Sequence, residues 1–169
     1  MNFCRRCGTK LTHTSGEAYV CENGHRLYTN AAPTAGIFFV TDDNQVLLTI
    51  RGIEPKKGML DTPGGFVDAG ETVEQALARE LVEELELTDD QYETPQFLCT
   101  ATNNYSYDGE DRAVLSMLYW SKLKPSANPV ARDDVAGIKT MHLADINIDD
   151  IGGDDIKTGM KKLQELLLK

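Results

Sequence analysis

The chain has 169 residues, 41% of them hydrophobic, which suffices for one sizeable core plus a small appendage. Its 27 acidic against 17 basic residues leave a formal net charge of −10, which opposes tracking of a nucleic-acid backbone, where clustered Lys and Arg must displace counterions. No apolar run reaches about 18 residues, and Met1-Asn2-Phe3-Cys4-Arg5-Arg6 lacks a signal-like stretch; the expectation is a cytoplasmic protein with no membrane partner.

Three of the four cysteines fall within the first 21 residues. Cys4-Arg5-Arg6-Cys7-Gly8 is a C-x2-C-G knuckle, and Cys21-Glu22-Asn23-Gly24-His25 is a C-x3-H. Three thiolates and an imidazole suit tetrahedral, structural zinc. An odd trio in a reducing compartment argues against disulfides. Residues 1–30 therefore read as a zinc ribbon holding Zn²⁺ with Cys4, Cys7, Cys21 and His25. A second knuckle usually ends in cysteine where Gly24 stands, so His25 must reach from one residue further on, and His13 is the alternative fourth ligand. Cys99, in the apolar Phe97-Leu98-Cys99-Thr100-Ala101, reads as a buried inert thiol.

The boundary to the second domain, residues 31–169, is expected near residue 31, after the punctuation Tyr28-Thr29-Asn30-Ala31-Ala32-Pro33. Thr34 to Thr41 reads as a buried strand, and Asp42-Asp43-Asn44 turns it into a hairpin with Gln45 to Arg51. A loop with Pro55, Lys56 and Lys57 leads to Leu60-Asp61-Thr62-Pro63-Gly64-Gly65. Beyond a helix from Thr72, Gln96–Ser106 and Arg112–Leu123 form a long hairpin around an Asp-Gly turn. Pro125–Asp134 is loop-like, Val135–His142 a strand, and Asp155–Lys169 a packing helix with Ile156, Met160, Leu163, Leu166 and Leu167 at helical spacing. The pattern is mixed α/β.

The most informative stretch runs from Gly65 to Glu84. Thr72-Val73-Glu74-Gln75 fits a capping box, which seats the preceding glycine loop against a helix N-terminus. At about 100° per residue, Glu80, Glu83 and Glu84 share an arc of roughly 100°, and Leu77, Leu81 and Leu85 lie on neighbouring faces. One face packs while the other can coordinate. An arbitrary Glu-x-x-Glu-Glu is usually a solvated acidic helix; here the whole string must be weighed. Gly65, Glu71, Arg79, Glu80, Leu81, Glu83, Glu84 and Leu87 match the Nudix box, G-x5-E-x7-R-E-U-x-E-E-x-G-U with U aliphatic, and Glu86 replaces its last glycine. The chain resembles a Nudix hydrolase.

That resemblance implies an αβα sandwich with a mixed sheet, here preceded by the ribbon. It implies catalytic Mg²⁺ or Mn²⁺ held by Glu80, Glu83, Glu84 and the Gly64 carbonyl, with Arg79 and Glu71 orienting the carboxylates. Divalent ions supply charge neutralisation and an activated water for diphosphate hydrolysis. Glu110 and Asp111 are the general-base candidates outside the box. Arg51, and less strongly Lys56 and Lys57, are candidates for phosphate contacts, and Tyr105 and Tyr107 for stacking on a base or flavin.

A ribbon followed by a Nudix domain is similar to the NADH, FAD and ADP-ribose pyrophosphatase branch. The Ser-Gln-Pro-Trp-type motif of its NADH-cleaving group is absent, since Thr102-Asn103-Asn104-Tyr105-Ser106-Tyr107 stands in that region. The expected activity is hydrolysis of the pyrophosphate in a nucleoside diphosphate linked to another moiety, such as ADP-ribose, FAD or a dinucleotide. Nucleoside triphosphate pyrophosphohydrolysis and a nucleotide-sensing module with weak catalysis are the alternatives. The partners implied are a small nucleotide and, because members often pair, a second copy of the chain.

Overall fold

A computed structural model of the chain describes residues 2–16, 18–107 and 109–168. Its contacts divide it into two compact units, Met1–Ala31 and Ala32–Lys169. The first holds an antiparallel sheet of β1 (Leu11–Ser15), β2 (Ala18–Cys21) and β3 (Arg26–Tyr28), in that order. Its small core is Cys4, Leu11, Cys21 and Leu27, with Tyr19 against it. So few apolar side chains cannot hold a unit of this size without a staple.

The second unit is built on one mixed sheet. Its strands are β4 (Ala32–Val40), β5 (Gln45–Arg51), β6 (Leu60–Asp61), β7 (Gly64–Phe66), β8 (Gln96–Tyr107), β9 (Glu110–Lys122) and β10 (Val135–His142). The main path runs β10-β5-β4-β9-β8, with β6 on β5 and β7 on β4. β4 pairs with β9 in parallel, and the other pairings are antiparallel. β4 starts at Ala32, two residues before the expected Thr34, because Ala32 and Pro33 already pair with Val114 and Leu115. The β8–β9 hairpin is paired out to Tyr107 opposite Glu110. Its Asp-Gly turn includes Asp108, outside the described residues.

Strand periodicity sorts the core onto two faces. From β4, Phe38 and Val40 join Val46, Leu48 and Leu118 under helix α2 (Asp154–Leu167), which contributes Ile156, Met160 and Leu163. Ala35, Ile37 and Phe39 point the other way, to Leu77, Leu81 and Leu85 of helix α1 (Val73–Leu85). The result is the αβα sandwich with a mixed sheet. Cys99 is half-buried against the α2-side core, not fully enclosed.

Helix α1 ends where the box departs from its consensus. Glu86 adopts φ 54°, ψ 28°, the left-handed conformation that glycine accepts without strain. Glu86 N–H donates to the Val82 carbonyl at 3.1 Å and Leu87 N–H to the Leu81 carbonyl at 3.0 Å, an ending closed around one left-handed residue and one residue wider than the Schellman pattern. The ending is kept with the wrong residue type, and the Glu86 carboxylate pairs with Arg132 Nε at 2.7 Å.

Candidate functional site

Thr72 and Gln75 form the reciprocal cap: Gln75 N–H donates to Thr72 Oγ1 at 3.3 Å, and Thr72 N–H to Gln75 Oε1 at 2.8 Å. This fixes the start of α1 directly behind the glycine loop. Two turns on, Arg79 uses all five guanidinium donors. Nε and Nη2 grip Glu71 at 2.8 and 3.1 Å, Nη1 reaches Glu80 at 2.8 Å and Glu83 at 3.0 Å, and Nη2 also meets the Phe66 carbonyl at 3.0 Å. The box carboxylates are thereby tied to the loop and to one cation. Arg79 holds the Glu71 carboxyl below its usual range.

Glu84 differs from its neighbours. It is 7% exposed and accepts the Gly64 N–H at 2.8 Å. The expectation that this carboxylate lies on a helix face free of packing is therefore corrected: Leu81 and Leu85 draw that turn of α1 onto β4 and β7, and Glu84 goes under with them. Burial, with the Asp134 and Glu80 charges beside it, pushes the Glu84 carboxyl up to about 9. Gly64 itself has φ +137°, and a Cβ there would collide with the Ala35 carbonyl; a Cβ on Gly65 would strike the Glu80 carboxylate. Both glycines let backbone and carboxylate approach where a side chain would separate them.

A cavity of about 650 Å³ opens here, lined by Arg79, Glu80, Glu83 and Glu84 of α1 and by Gly64, Gly65 and Phe66 of β7. Arg51 and Tyr105 line the same cavity and touch, Nη2 to the hydroxyl at 3.2 Å. Arg51 also pairs with Asp61 at 2.7 Å and donates to the Pro55 carbonyl at 2.8 Å. Burial pushes the Asp61 carboxyl up and Arg51 opposes it. The Tyr105 ring meets the Phe66 ring edge-on at 5.9 Å, so it forms part of a packed aromatic wall. Lys56 lines the cavity; Lys57 does not.

The candidates for a base outside the box fare differently. Asp111 is exposed, accepts from Ser106 and does not line the cavity; the Glu110 and Tyr107 side chains lie outside the described residues. Asp134 does line it, and its charge bears on both Glu84 and Glu80. The segment before β10 is docked on the end of α1 by Val130 N–H to the Leu85 carbonyl at 3.0 Å and Arg132 N–H to the Glu84 carbonyl at 2.9 Å. Asp133 then turns through φ 50° and the Gly52 N–H holds the Asp134 carbonyl at 2.6 Å. Asp155, 7% exposed, is a second cavity acid that sequence reasoning missed.

In the first unit, the Cys4, Cys7, Cys21 and His25 ligand atoms all lie within 4.8 Å of one another. Cys4 Sγ is 3.6 Å from His25 Nδ1, and Cys7 Sγ is 3.7 Å from Cys21 Sγ. Tetrahedral zinc with ordinary bond lengths spaces sulfur from sulfur by about 3.8 Å and sulfur from nitrogen by about 3.6 Å, so the quartet fits that ion, with Nδ1 the facing nitrogen. Gly8 and Gly24, at φ 72° and 75°, turn the two knuckles alike. Hydrogen bonds from Thr9 and Asn23 draw the Cys7 thiol down to about 5. His13 is exposed and faces the Gly16 carbonyl, so the alternative fourth ligand is not brought to the quartet.

A match to the NUDIX domain family covers residues 31–160. An ADP-ribose pyrophosphatase of Methanocaldococcus jannaschii is 48% identical over 61 residues, 36% of this chain and 35% of that protein. A NAD-capped RNA hydrolase, NudC, of Klebsiella pneumoniae is 31% identical over 148 residues, 77% of this chain and 57% of that protein. The chain thus spans between about a third and somewhat over half of these curated relatives. A NUDIX hydrolase of Nitrosomonas europaea has the same fold, with a TM-score of 0.70 and 24% identity, covering 99% of this chain and 93% of that one. The NUDIX domain of Shewanella oneidensis NrtR, solved with ADP ribose, aligns with a TM-score of 0.63 and 24% identity over 83% of this chain and 90% of that one. Among the described residues no helix is long and apolar enough to cross a membrane. With the box on α1 and the family match over most of its length, the chain belongs to the Nudix family.

Proposed function

We propose that this protein hydrolyses the pyrophosphate bond of a nucleoside diphosphate linked to another moiety, in the manner of ADP-ribose, FAD or a dinucleotide, releasing two phosphomonoesters. The observation that carries the reading is Glu84: a nearly buried carboxyl that faces Glu80 and Asp134 on the wall of a nucleotide-sized cavity. Carboxylates brought together out of water need a proton or a cation between them. Oxygen donors only, from Glu80, Glu83, Glu84 and the Gly64 carbonyl, suit Mg²⁺ or Mn²⁺. When bound, the ions supply phosphoryl charge neutralisation and an acidified water.

The chain's own residues do the rest. Arg79 and Glu71 hold the box carboxylates in one array and tie them to the loop. Arg51 and Tyr105 put a cation and an aromatic ring on the cavity wall for the substrate to meet, and Asp134 stands by the helix carboxylates to accept a proton from the attacking water. In the ribbon, Cys4, Cys7, Cys21 and His25 hold structural Zn²⁺ with no open position. The net charge of −10 supports a small nucleotide over a nucleic-acid partner, and a cytoplasmic location belongs to the same reading.

The test is a product-resolved screen of the full chain with Mg²⁺ or Mn²⁺ against ADP-ribose, FAD, NADH, diadenosine polyphosphates and nucleoside triphosphates. AMP released together with ribose 5-phosphate, FMN or another phosphorylated partner from at least one of the linked diphosphates is the expected result. Pyrophosphate released from triphosphates alone, or no turnover at all, overturns the proposal.

A further inference from the structure

The diphosphatase reading leaves one buried charge unused. Asp155, in the first turn of α2, is 7% exposed and lines the cavity. Asn103 Nδ2 donates to its Oδ1 at 3.0 Å, the Ser116 hydroxyl donates to its Oδ2, and the Thr34 hydroxyl donates to Ser116 Oγ at 2.7 Å. Four elements, β4, β8, β9 and α2, thus converge on one carboxylate. Helix α2 would gain from any acid in its first turn, and the adjacent, exposed Asp154 already supplies one. Burying a second carboxylate costs stability unless its oxygens are satisfied.

A carboxylate accepts about four hydrogen bonds, and Asn103 and Ser116 provide two. The Asn103 amide, also on the cavity wall, has a second N–H to give. Together they set an acceptor beside a donor on the cavity wall. Two residues along the same face of β8, Tyr105 contributes an aromatic ring to the same cavity. A flat ring whose edge carries an N–H donor beside an acceptor complements this arrangement.

We infer that Asp155 and Asn103 form a base-recognition edge, selecting diphosphate substrates whose heteroaromatic ring bears an amino or carboxamide N–H beside an acceptor. Adenine offers this through its 6-amino group and N1, and nicotinamide through its carboxamide. The inference rests on the diphosphatase reading for the rest of the ligand and deepens it by naming what the far end must carry. Asp155 and Asn103 act on specificity, since neither belongs to the Nudix box.

Calorimetric titration with mononucleotides in Mg²⁺ tests this without requiring turnover. One pair is AMP against purine riboside 5′-monophosphate, which lacks only the amino group; the other is nicotinamide mononucleotide against nicotinic acid mononucleotide. The wild-type protein should bind the N–H-bearing member of one pair at least about tenfold more tightly, the usual loss when a hydrogen bond to a charged group is deleted. The pair that discriminates identifies the ring. Asp155→Asn should shrink the difference to below about threefold. Equal binding within both pairs, or binding of neither AMP nor nicotinamide mononucleotide, overturns the inference whether or not the variant folds. Hydrolysis of ADP-ribose, FAD, NADH and diadenosine polyphosphates by the same preparation reports separately on the parent reading: hydrolysis of any of them without discrimination refutes this inference alone, and discrimination without hydrolysis of any refutes the diphosphatase alone.

Discussion

Glu84 Oε2 accepts the backbone N–H of Gly64 at 2.8 Å, so the last carboxylate of the box is fastened to the loop that precedes its own helix. The bond survives replacement by glutamine, whose Oε1 accepts equally well. The charge does not. Glutamate at this place has its carboxyl raised from 4.5 to about 9, chiefly by burial.

A raised carboxyl favours the folded state at low pH, and that contribution is lost as pH rises from the unfolded value toward the folded one. Metal-free wild-type protein should therefore lose melting temperature between about pH 5 and pH 9, and Glu84→Gln should remove that component of the slope. At pH 8 without metal the variant should melt higher than wild type; on adding Mg²⁺ it should gain less melting temperature than wild type does, and with Mg²⁺ it should turn over on the order of 10³-fold more slowly. A variant that melts lower at pH 8, or keeps a third of the wild-type rate, contradicts the assignment.

Asp134→Asn should lower kcat by about 10²-fold, the usual contribution of a positioned acid–base group, and leave KM within about threefold. The segment stays in place because it is held through backbone groups: the Asp134 carbonyl accepts from Gly52 and the Arg132 N–H donates to Glu84. Asp111→Asn, at the exposed end of the hairpin, should stay within twofold of wild type. Steady-state kinetics on both variants checks the pair, and the reverse ranking would restore the hairpin as the source of the base.

How legible this site is in sequence follows from how local its parts are. The cap, the Arg79 array and the two knuckles lie within short stretches whose residue types carry the chemistry, so Glu71, Arg79, Glu80 and the Cys4–His25 quartet can be read directly. Asp134 cannot. It reaches Glu84 because backbone N–H groups of Val130 and Arg132 dock on the end of α1, and backbone bonds leave no side-chain signature in a polar loop. Asp155 depends on the parallel β4–β9 pairing, which sets Thr34 beside Ser116, and nothing local in either strand announces that neighbour. The burial of Glu84 was equally hidden, because helical spacing shows which side chains share a face and not how far that face sinks.

The ribbon should carry about one zinc per chain as purified without chelators. Its apolar core of Cys4, Leu11, Cys21 and Leu27 includes two of the proposed ligands, so metal loss removes the staple and exposes core at once. Hydrogen exchange after treatment with a strong chelator should rise first in residues 1–30, while α1 and β4 stay protected. Elemental analysis showing undiminished zinc in Cys4→Ser plus Cys7→Ser protein would place the metal elsewhere.

Glu86 gives the last prediction. Its left-handed backbone, φ 54° and ψ 28°, costs a residue with a Cβ about 1 kcal/mol, and its carboxylate lies at the negative end of the α1 dipole. The compensating contact is the Arg132 pair at 2.7 Å, with side chains 54% and 50% exposed, which is worth roughly 0–1 kcal/mol. Glycine removes strain and pair together; alanine removes only the pair. Once glycine's freer unfolded chain is set against the strain, Glu86→Gly should be roughly 0.5 kcal/mol more stable than Glu86→Ala, and more stable than wild type by a similar margin, because the lost pair and the removal of a carboxylate from the helix C-terminus nearly cancel. Denaturant melts of the three proteins decide it: a glycine variant no more stable than the alanine variant would show that the left-handed turn carries no strain, and that Glu86 is as good an ending for this helix as the glycine of the family's consensus.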